Sequence, residues 1–408
     1  MDTKQIMKLF ADTSYVRMGG SDAELRAARY LQDRVRDLGM DAQIVPFEVP
    51  MSTMQEAVFL ADGMEVPCKG YLCAGNAELE APFYYLRNDD PYSLSLCRGK
   101  IVMVEGYLGY WKYQDLLANG AVGFVTFSGE INYPDREIDQ RELRSYVHQG
   151  NRIPGVNINV KDAVALIEKG VSTAKILLKQ EEYTGQSRNV ILDMPGEIDE
   201  YIAFSAHYDS TSLSQGIYDN MSGSVGLLGI AEYFASHPHK RGLRFIWCGS
   251  EERGLLGAKA YCADEENLKN CVLNINLDMI GCIMGKFAAC CTTEEALVSY
   301  LNYMACEVGF PMHVYQDVYS SDSTPFADKG VPAISFARWA PNNAATIHNS
   351  YDTISLMKGQ QMLEDIGFLN AFADRMANAV RCPVAREIPE NMKTRLDEYL
   401  CRKRPGKK

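Results

Sequence analysis

The stretch Ser205–Gly223, SAHYDSTSLSQGIYDNMSG, places an imidazole and two carboxylates at the end of an apolar run. Residues 201–206, YIAFSA, are typical of a buried strand, and His207 follows them directly. Asp209 comes two residues later, and Asp219 lies in a glycine-flanked loop. In open α/β sheets the carboxyl ends of the strands meet at one edge, where ligands bind. The stretch therefore predicts a strand whose end carries candidate ligands.

Three further stretches place polar side chains after an apolar strand. They read GSEERGLLG at 249–257, NLDMIG at 276–281 and ATIHNSYDT at 345–353, and they contain Glu251, Glu252, Asp278 and His348. Two histidines and several carboxylates form a ligand set suited to Zn²⁺ or a similar divalent ion. Each piece alone has a simpler interpretation, since a single histidine at a strand end is often structural. Paired acids before a helix are stabilised by the positive end of the helix dipole.

The order of predicted elements indicates the fold class and the domains. After residue 186, apolar strands alternate with amphipathic helices, which predicts an α/β three-layer sandwich with a mostly parallel, mixed central sheet. Residues 51–186 contain short apolar runs between Gly, Pro and acidic turns, which predicts an inserted β-rich module. We expect a discontinuous domain at 1–50 and 187–385, the insert at 51–186, and a C-terminal helix with a basic tail at 386–408.

Composition excludes several classes of protein. The formal net charge of −12 argues against a nucleic-acid binder. No window of eighteen apolar residues predicts a membrane span, and the charged N-terminal stretch does not read as a secretory signal. The twelve scattered cysteines then favour reduced, mostly buried thiols and a cytoplasmic location. Assembly into a homo-oligomer is left open.

Taken together, the motifs resemble those of the M28 family of metallopeptidases, the co-catalytic dizinc aminopeptidases. The family pattern runs H-x-D, G-x-x-D-[DN]-x-[SA]-G, E-E-x-G-L-x-G, L-D-M and a late His followed by D-T. In this chain the five motifs read HYD, GIYDNMSG, EERGLLG, LDM and HNSYDT, in the same order. The resemblance implies the zinc-dependent exopeptidase fold and release of N-terminal residues from peptides by a water activated between two zinc ions.

The resemblance also implies a role for each motif residue. His207 and Asp278 would bind one zinc, Glu252 and His348 the other, and Asp219 would bridge them. Co²⁺ or Mn²⁺ would suit the same ligands. Asp209 would accept the free ring N–H of His207, Glu251 would be the general base, and the Asp219–Asn220 bond would be cis. Tyr319 or Tyr315 would stabilise the oxyanion, and Ser323 stands where the family often has His.

Residues 51–186 resemble a protease-associated domain. The run RGKIVMVEGYLGYWKYQDLLANGAVGFVTFSG, residues 98–129, carries that resemblance. It implies a module that covers the active site of a peptidase and limits access of substrate. A purely structural scaffold is the alternative interpretation.

Other functions on the same fold remain open from the sequence. A dizinc carboxypeptidase or dipeptidase would keep the same ligands, but a carboxypeptidase needs basic residues for a C-terminal carboxylate. Arg338 is a candidate for that contact, although a structural salt bridge is the simpler interpretation. A glutaminyl cyclase would hold a single zinc, and a receptor-like relative would have lost ligands, whereas this chain retains the full set.

Overall fold

The structure is a computed structural model, and it describes residues 1–341 and 344–406. The described helices are α1 Thr3–Asp12, α2 Asp22–Asp37, α3 Pro91–Ser95, α4 Tyr110–Ala118, α5 Ser145–His148, α6 Val160–Lys169, α7 Ser222–Phe234, α8 Leu256–Ala263, α9 Glu295–Val308, α10 Ser323–Asp328, α11 Gly359–Asn378 and α12 Glu390–Tyr399. The described strands are β1 Gln43–Ala61, β2 Met64–Glu65, β3 Cys68–Gly70, β4 Ala77–Tyr85, β5 Ile101–Met103, β6 Gly123–Ser128, β7 Gly155–Asn159, β8 Thr173–Met194, β9 Ile198–His207, β10 Arg241–Cys248, β11 Cys271–Leu277, β12 Lys286–Thr292, β13 His313–Gln316 and β14 Ala333–Trp339. The chain divides into two compact units, Met1–Val49 with Gln186–Lys408, and Pro50–Gly185.

The first unit is built on a mixed sheet. Its strand order is β13-β12-β14-β11-β9-β10-β8. The central neighbours β10, β9, β11 and β14 are parallel to one another, whereas β8 and β12 pair antiparallel with β10 and β14. This mixed, largely parallel arrangement confirms the predicted fold class.

Apolar side chains on both faces of this sheet explain its helical covering. In β9, Phe204 and Ala206 join a cluster that includes residues of α1, α2, α7 and α11, while Ala203 joins a cluster with residues of α8, α10 and α12. In β10, Trp247 and Ile246 divide between the same two clusters. Because side chains alternate along a strand, a sheet with two apolar faces must be covered on both, which gives three layers.

The carboxyl ends of the parallel strands fall in register. Cys248 at the end of β10 pairs with His207 at the end of β9, and Leu277 at the end of β11 pairs with Phe336 in β14. The chain segments that follow these strands therefore begin at one edge of the sheet. His207 ends β9, and the segments that follow the strands carry the other candidate ligands.

The second unit has its own sheet and its own core. Strands β4, β5, β6 and β7 are successively parallel, and β3 and β8 pair antiparallel with β7 and β4. Helices α3, α4 and α5 connect the parallel strands of this unit. The resemblance to a protease-associated domain stays a prediction.

Two further observations concern the described residues as a whole. Their cysteines form no disulfide, and most of these thiols are buried. Among these residues, no helix combines the length and the hydropathy that crossing a lipid bilayer would need.

Candidate metal centre

Asp219 lies between the two histidines of the motifs. Its Oδ1 atom is 3.2 Å from Nε2 of His207, and its Oδ2 atom is 3.0 Å from Nε2 of His348. The two oxygens of one carboxylate therefore face two different imidazoles. This is the arrangement expected of a carboxylate that two cations share.

The first half of the site consists of His207 and Asp278, which lie at the ends of two strands. Nε2 of His207 is 3.8 Å from Oδ1 of Asp278, and both side chains are buried. The Asn220 amide connects this half to the Asp219 loop, since it donates to Leu277 O at 2.8 Å and accepts from Met279 N at 3.0 Å. Both residues that flank Asp278 are thus held by the residue that follows Asp219. The Asp219–Asn220 peptide bond is cis, as the family resemblance implied.

The second half of the site consists of Glu252, which lies in a turn, and His348, which lies in a loop. Nε2 of His348 is 3.2 Å from Oε2 of Glu252. His348 has a φ of +61° and lies in a segment without helix or strand, and its side chain is 45% exposed. The residues Asn342 and Asn343 earlier in this segment lie outside the described residues.

The donor set fits a pair of divalent cations. His207, Asp219 and Asp278 each offer a ligand atom within 4.8 Å of the others, and so do Asp219, Glu252 and His348. Both ring nitrogens of His207 are buried without a hydrogen bond of normal geometry to the described residues. A cation held between Nε2 of His207 and the carboxylates that it faces would satisfy both. Nitrogen and carboxylate donors together suit Zn²⁺.

Glu251 faces the same centre without belonging to either group of three ligands. Its Oε2 atom is 3.9 Å from Nε2 of His207. Burial raises the pKa of Glu251 well above its usual range, and the Glu252 carboxylate adds to the shift although His207 opposes it. Burial likewise raises the pKa of Asp278 to about 7. Crowded acids of this kind are typical of sites that handle protons or cations.

Asp209 has a second set of contacts that the sequence analysis missed. Its Oδ1 atom is 3.5 Å from Nδ1 of His207, on the side expected of a carboxylate that orients the ring. The same carboxylate accepts the backbone N–H of Glu251 at 2.9 Å and that of Glu252 at 3.3 Å. Asp209 therefore lies beside the histidine of one half and holds the backbone of the other.

The interpretation of Glu251 and Glu252 as residues that begin a helix is wrong. They lie in a turn, and α8 begins only at Leu256. The turn follows Ser250, which has a φ of +55°, and Gly249, where a Cβ atom would lie 2.4 Å from Arg188 O. The close approach of backbone at Gly249 and the carboxylate of Asp209 thus give the turn its shape.

Asp352 and Asp322 are buried carboxylates to which the sequence analysis assigned no role. Asp352 accepts the backbone N–H of Tyr218 at 2.8 Å and that of Asp219 at 3.1 Å, so it fixes the main chain at the shared ligand. Burial raises the pKa of Asp352 to about 6 and that of Asp322 to about 7. A signal was present in both cases, because Asp352 lies inside the motif HNSYDT and Asp322 directly precedes Ser323, which stands where the family often has His.

Of the two tyrosines proposed for the oxyanion, Tyr319 is the one whose surroundings fit. Burial and the Asp278 carboxylate raise the pKa of Tyr319 well above its usual value, so its hydroxyl stays protonated. The indole of Trp339 donates to that hydroxyl at 3.4 Å. Tyr315 instead bonds to Cys290, away from the ligands.

Two other positions from the sequence analysis have structural partners. The Ser323 hydroxyl lies 2.7 Å from that of Ser335, inside a buried polar network. The Arg338 guanidinium forms a buried ion pair with Asp365 and donates to Gly285 O at 2.9 Å. Arg338 is thus engaged within the fold.

The chain resembles known proteins in sequence and in fold. Residues 189–367 match the family model for peptidase family M28. Aminopeptidase YwaD of Bacillus subtilis is 28% identical over 365 residues, which are 83% of this chain and 75% of that protein. Leucine aminopeptidase 2 of Trichophyton rubrum is 38% identical over 198 residues, 45% of this chain and 37% of that protein.

A solved structure extends the comparison to the whole fold. A zinc aminopeptidase from Bacillus subtilis, BSAP, superimposes with a TM-score of 0.78 and 24% identity, over 96% of this chain and 98% of that one. At 24% identity, this structural similarity establishes the fold of the chain and nothing further.

Proposed function

Since the chain belongs to peptidase family M28, we propose that it is a zinc-dependent aminopeptidase that removes N-terminal residues from peptides. The observation that carries the proposal is the position of Asp219, whose two carboxylate oxygens face His207 and His348 separately. Two curated relatives named as aminopeptidases support the choice of reaction.

The residues would hold two zinc ions. His207 and Asp278 would be the ligands of one, Glu252 and His348 would be the ligands of the other, and Asp219 would be shared. Bound zinc supplies Lewis acidity, which polarises a carbonyl and lowers the pKa of water from 15.7 to about 7.

Glu251 is the proton carrier of the proposed reaction. Its carboxylate accepts a proton from the attacking water and returns it to the nitrogen of the leaving amine as the peptide bond breaks. A base for this step needs a pKa nearer to neutrality than that of an exposed glutamate. Burial shifts the pKa of Glu251 upward, in the required direction.

Asp209 and Tyr319 support the reaction from two sides. Asp209 fixes the ring of His207 and the backbone amides of Glu251 and Glu252, so it orients the base relative to the ligands. The protonated hydroxyl of Tyr319 is available to donate a hydrogen bond to the oxyanion of the transition state.

The state of Arg338 favours an amino terminus of the substrate over a carboxyl terminus. Arg338, the candidate for binding a substrate carboxylate, is paired with Asp365. A free α-amine is thus the better electrostatic match.

A substrate panel tests the reaction class. We expect the zinc-loaded protein to cleave aminoacyl substrates with a free amine and to leave N-acylated peptides intact, and a chelator should abolish the activity. Cleavage that requires a free C-terminal carboxylate would favour the carboxypeptidase, and cleavage restricted to dipeptides would favour the dipeptidase.

Two neighbouring substitutions test the roles of the paired glutamates. Glu251→Gln should reduce kcat by about 10²–10⁴-fold with zinc content unchanged, because it removes the base alone. Glu252→Gln is the matched variant and should lower the zinc content. Full turnover by Glu251→Gln would contradict the assignment of the base.

A further inference from the structure

We propose that Arg17 is a positioning residue, which holds the chain between His207 and Asp219 in the conformation that presents their side chains to the metal ions. Arg17 precedes α2 and is 191 residues from Tyr208 in sequence. Its side chain is completely buried. None of the sequence motifs includes it, so its role rests on its contacts alone.

The guanidinium donates to the main chain of the ligand loop, residues 208–216. Nε donates to Tyr208 O at 2.5 Å, Nη2 donates to Gly216 O at 2.7 Å, and Nη1 donates to Gln215 O. These carbonyls lie at the two ends of the loop, one residue after His207 and three residues before Asp219. One planar group therefore fixes the separation of the two ends.

The same side chain also ties the loop to the N-terminal segment. Nη1 donates to Thr13 O and Tyr15 O, both at 3.1 Å. The Arg17 main chain adds two contacts with Ser210, because Arg17 N donates to Ser210 Oγ at 3.0 Å and Arg17 O accepts from Ser210 N at 3.3 Å. The segment beside Asp209 is thus fixed as well.

A buried guanidinium without a carboxylate partner needs an explanation. Burial lowers the pKa of Arg17 to about 10, so the group still carries its charge at neutral pH. Among the described residues, no carboxylate oxygen comes within salt-bridge distance of Arg17. Burying a charge is costly unless hydrogen bonds compensate it, and here five backbone carbonyls do so. The carboxylates of Asp352, Asp209 and Asp219 favour the charge from a longer distance.

The loop needs such a contact because it has no regular structure of its own. Residues 208–216 form neither helix nor strand, so no ladder of backbone hydrogen bonds determines their path. Without the guanidinium, Tyr208 O and Gln215 O would lose their donor, Gly216 O would keep only the backbone N–H of Met221 at 2.9 Å, and the loop would relax. A ligand displaced by about 1 Å can reduce activity by about 10²-fold.

Arg17→Lys separates geometry from charge. Lysine keeps the positive charge, but its single ammonium group cannot reach carbonyls that the fork of arginine reaches in several directions. We expect the affinity for Zn²⁺ of the full-length chain, measured by competition with a chromophoric chelator, to fall by about 10–100-fold. The kcat of the zinc-loaded variant should fall by a similar factor, with KM within about twofold, since no substrate contact is lost.

Arg241→Lys is the matched control. Arg241 is also buried, and it donates to Met376 O at 3.2 Å and Ala379 O at 2.6 Å, but it lies at the beginning of β10 and not at its ligand-bearing end. Its substitution should reduce the midpoint of thermal unfolding without changing the zinc affinity of the folded protein. Equal losses of zinc affinity in Arg17→Lys and Arg241→Lys would overturn the inference.

Ser210→Ala decides the matter if Arg17→Lys does not fold. It removes the hydroxyl that accepts from Arg17 N and also donates to the neighbouring Thr211 O at 3.2 Å. Zinc affinity should fall by about threefold to tenfold, and an unchanged affinity would overturn the inference. The inference rests on the proposed function in treating the loop as metal-binding. An unaltered chain that binds no zinc would overturn both, whereas zinc binding that Arg17→Lys leaves unchanged overturns this inference alone.

Discussion

The two halves of the metal centre are built in different ways. His207 and Asp278 lie at the ends of β9 and β11, and the side chain of His207 is 1% exposed. His348 lies in an irregular segment with its side chain 45% exposed, and Glu252 lies in a turn. Strand ends are held by the sheet ladder, whereas loops and turns depend on side-chain contacts. We therefore expect the His207–Asp278 half to bind its ion more tightly and the Glu252–His348 half to exchange its ion more readily.

Asp219 belongs to both halves, so its substitution should have the largest effect. Asp219→Asn retains the shape but removes the charge that both imidazoles face. We expect fewer than one zinc per chain after dialysis and a loss of kcat/KM of at least about 10³-fold, because stabilisation by both ions is lost. Metal analysis and hydrolysis of an aminoacyl substrate measure the two effects.

The control for this variant is Asp193→Asn. Asp193 is a partly exposed carboxylate of the same unit that pairs with Arg244, remote from the motifs. It should keep full zinc content and activity. If Asp219→Asn retained two zinc ions, the idea of a shared ligand would be wrong.

Removal of one histidine at a time tests the difference between the halves directly. His348→Ala should leave one tightly bound zinc on His207, Asp219 and Asp278, with activity reduced by about 10²-fold or more. His207→Ala should weaken zinc binding further, because it also leaves the buried carboxylates of Asp209 and Asp278 without their imidazole. Isothermal titration of the metal-free variants with Zn²⁺ gives the number of ions and their affinities. Equal residual affinity in the two variants would remove the distinction between the halves.

The ligand assignment stays a prediction, but the structure does bring together the histidines and carboxylates that the five motifs carry. The order of five motifs led to family M28, which the family match confirms, and the alternation of strands and helices led to the correct fold class. Arg17 and Glu24 could not be found in this way. Their partners are mostly backbone groups and hydroxyls far away in sequence, such as Tyr208 O and Ser187 Oγ, and such contacts have no sequence signature.

Local patterns also misled the prediction where tertiary contacts decide the backbone. The acids of EERGLLG suggested the beginning of a helix, yet Asp209 holds their amides in a turn. Likewise, short apolar runs between residues 101 and 159 gave no direction for their strands, and the structure makes them parallel. A strand pattern specifies burial but not the direction of pairing.

Asp209→Asn should have an intermediate effect, because Asp209 contacts both halves without being a ligand. The amide can accept one of the two backbone N–H groups of Glu251 and Glu252, but its NH₂ group would oppose the other. We expect zinc affinity or kcat to fall by about 10–100-fold. If the effect were confined to the ion of the His207–Asp278 half, the backbone contacts of Asp209 would have no functional weight. Chelator competition with separate phases for the two ions distinguishes these outcomes.

Substitution of Glu24 should have the smallest effect. This effect is a change in how the free energy of unfolding depends on pH. The Glu24 carboxylate is buried and accepts from Ser187 Oγ at 2.6 Å and from Ser250 Oγ at 3.4 Å, beside the turn that carries the second half of the site. Burial raises the pKa of Glu24 from 4.5 to about 7, and the Asp209 charge adds to the shift. A carboxyl with a raised pKa in the folded state contributes its stability below about pH 4.5 and loses it as the pH rises through about 7.

Glu24→Gln stays neutral at every pH, so it should gain stability relative to the unaltered protein between pH 5 and pH 8. The gain is roughly 3 kcal/mol at most, from 1.36 kcal/mol per pKa unit. Thermal unfolding of both zinc-loaded proteins across this range measures it, with the exposed Glu197→Gln as control. A difference in Tm that does not vary with pH would mean that Glu24 keeps its charge in the fold. The turn would then be held by an ionised carboxylate, as the loop of the first half is held by the charged Arg17.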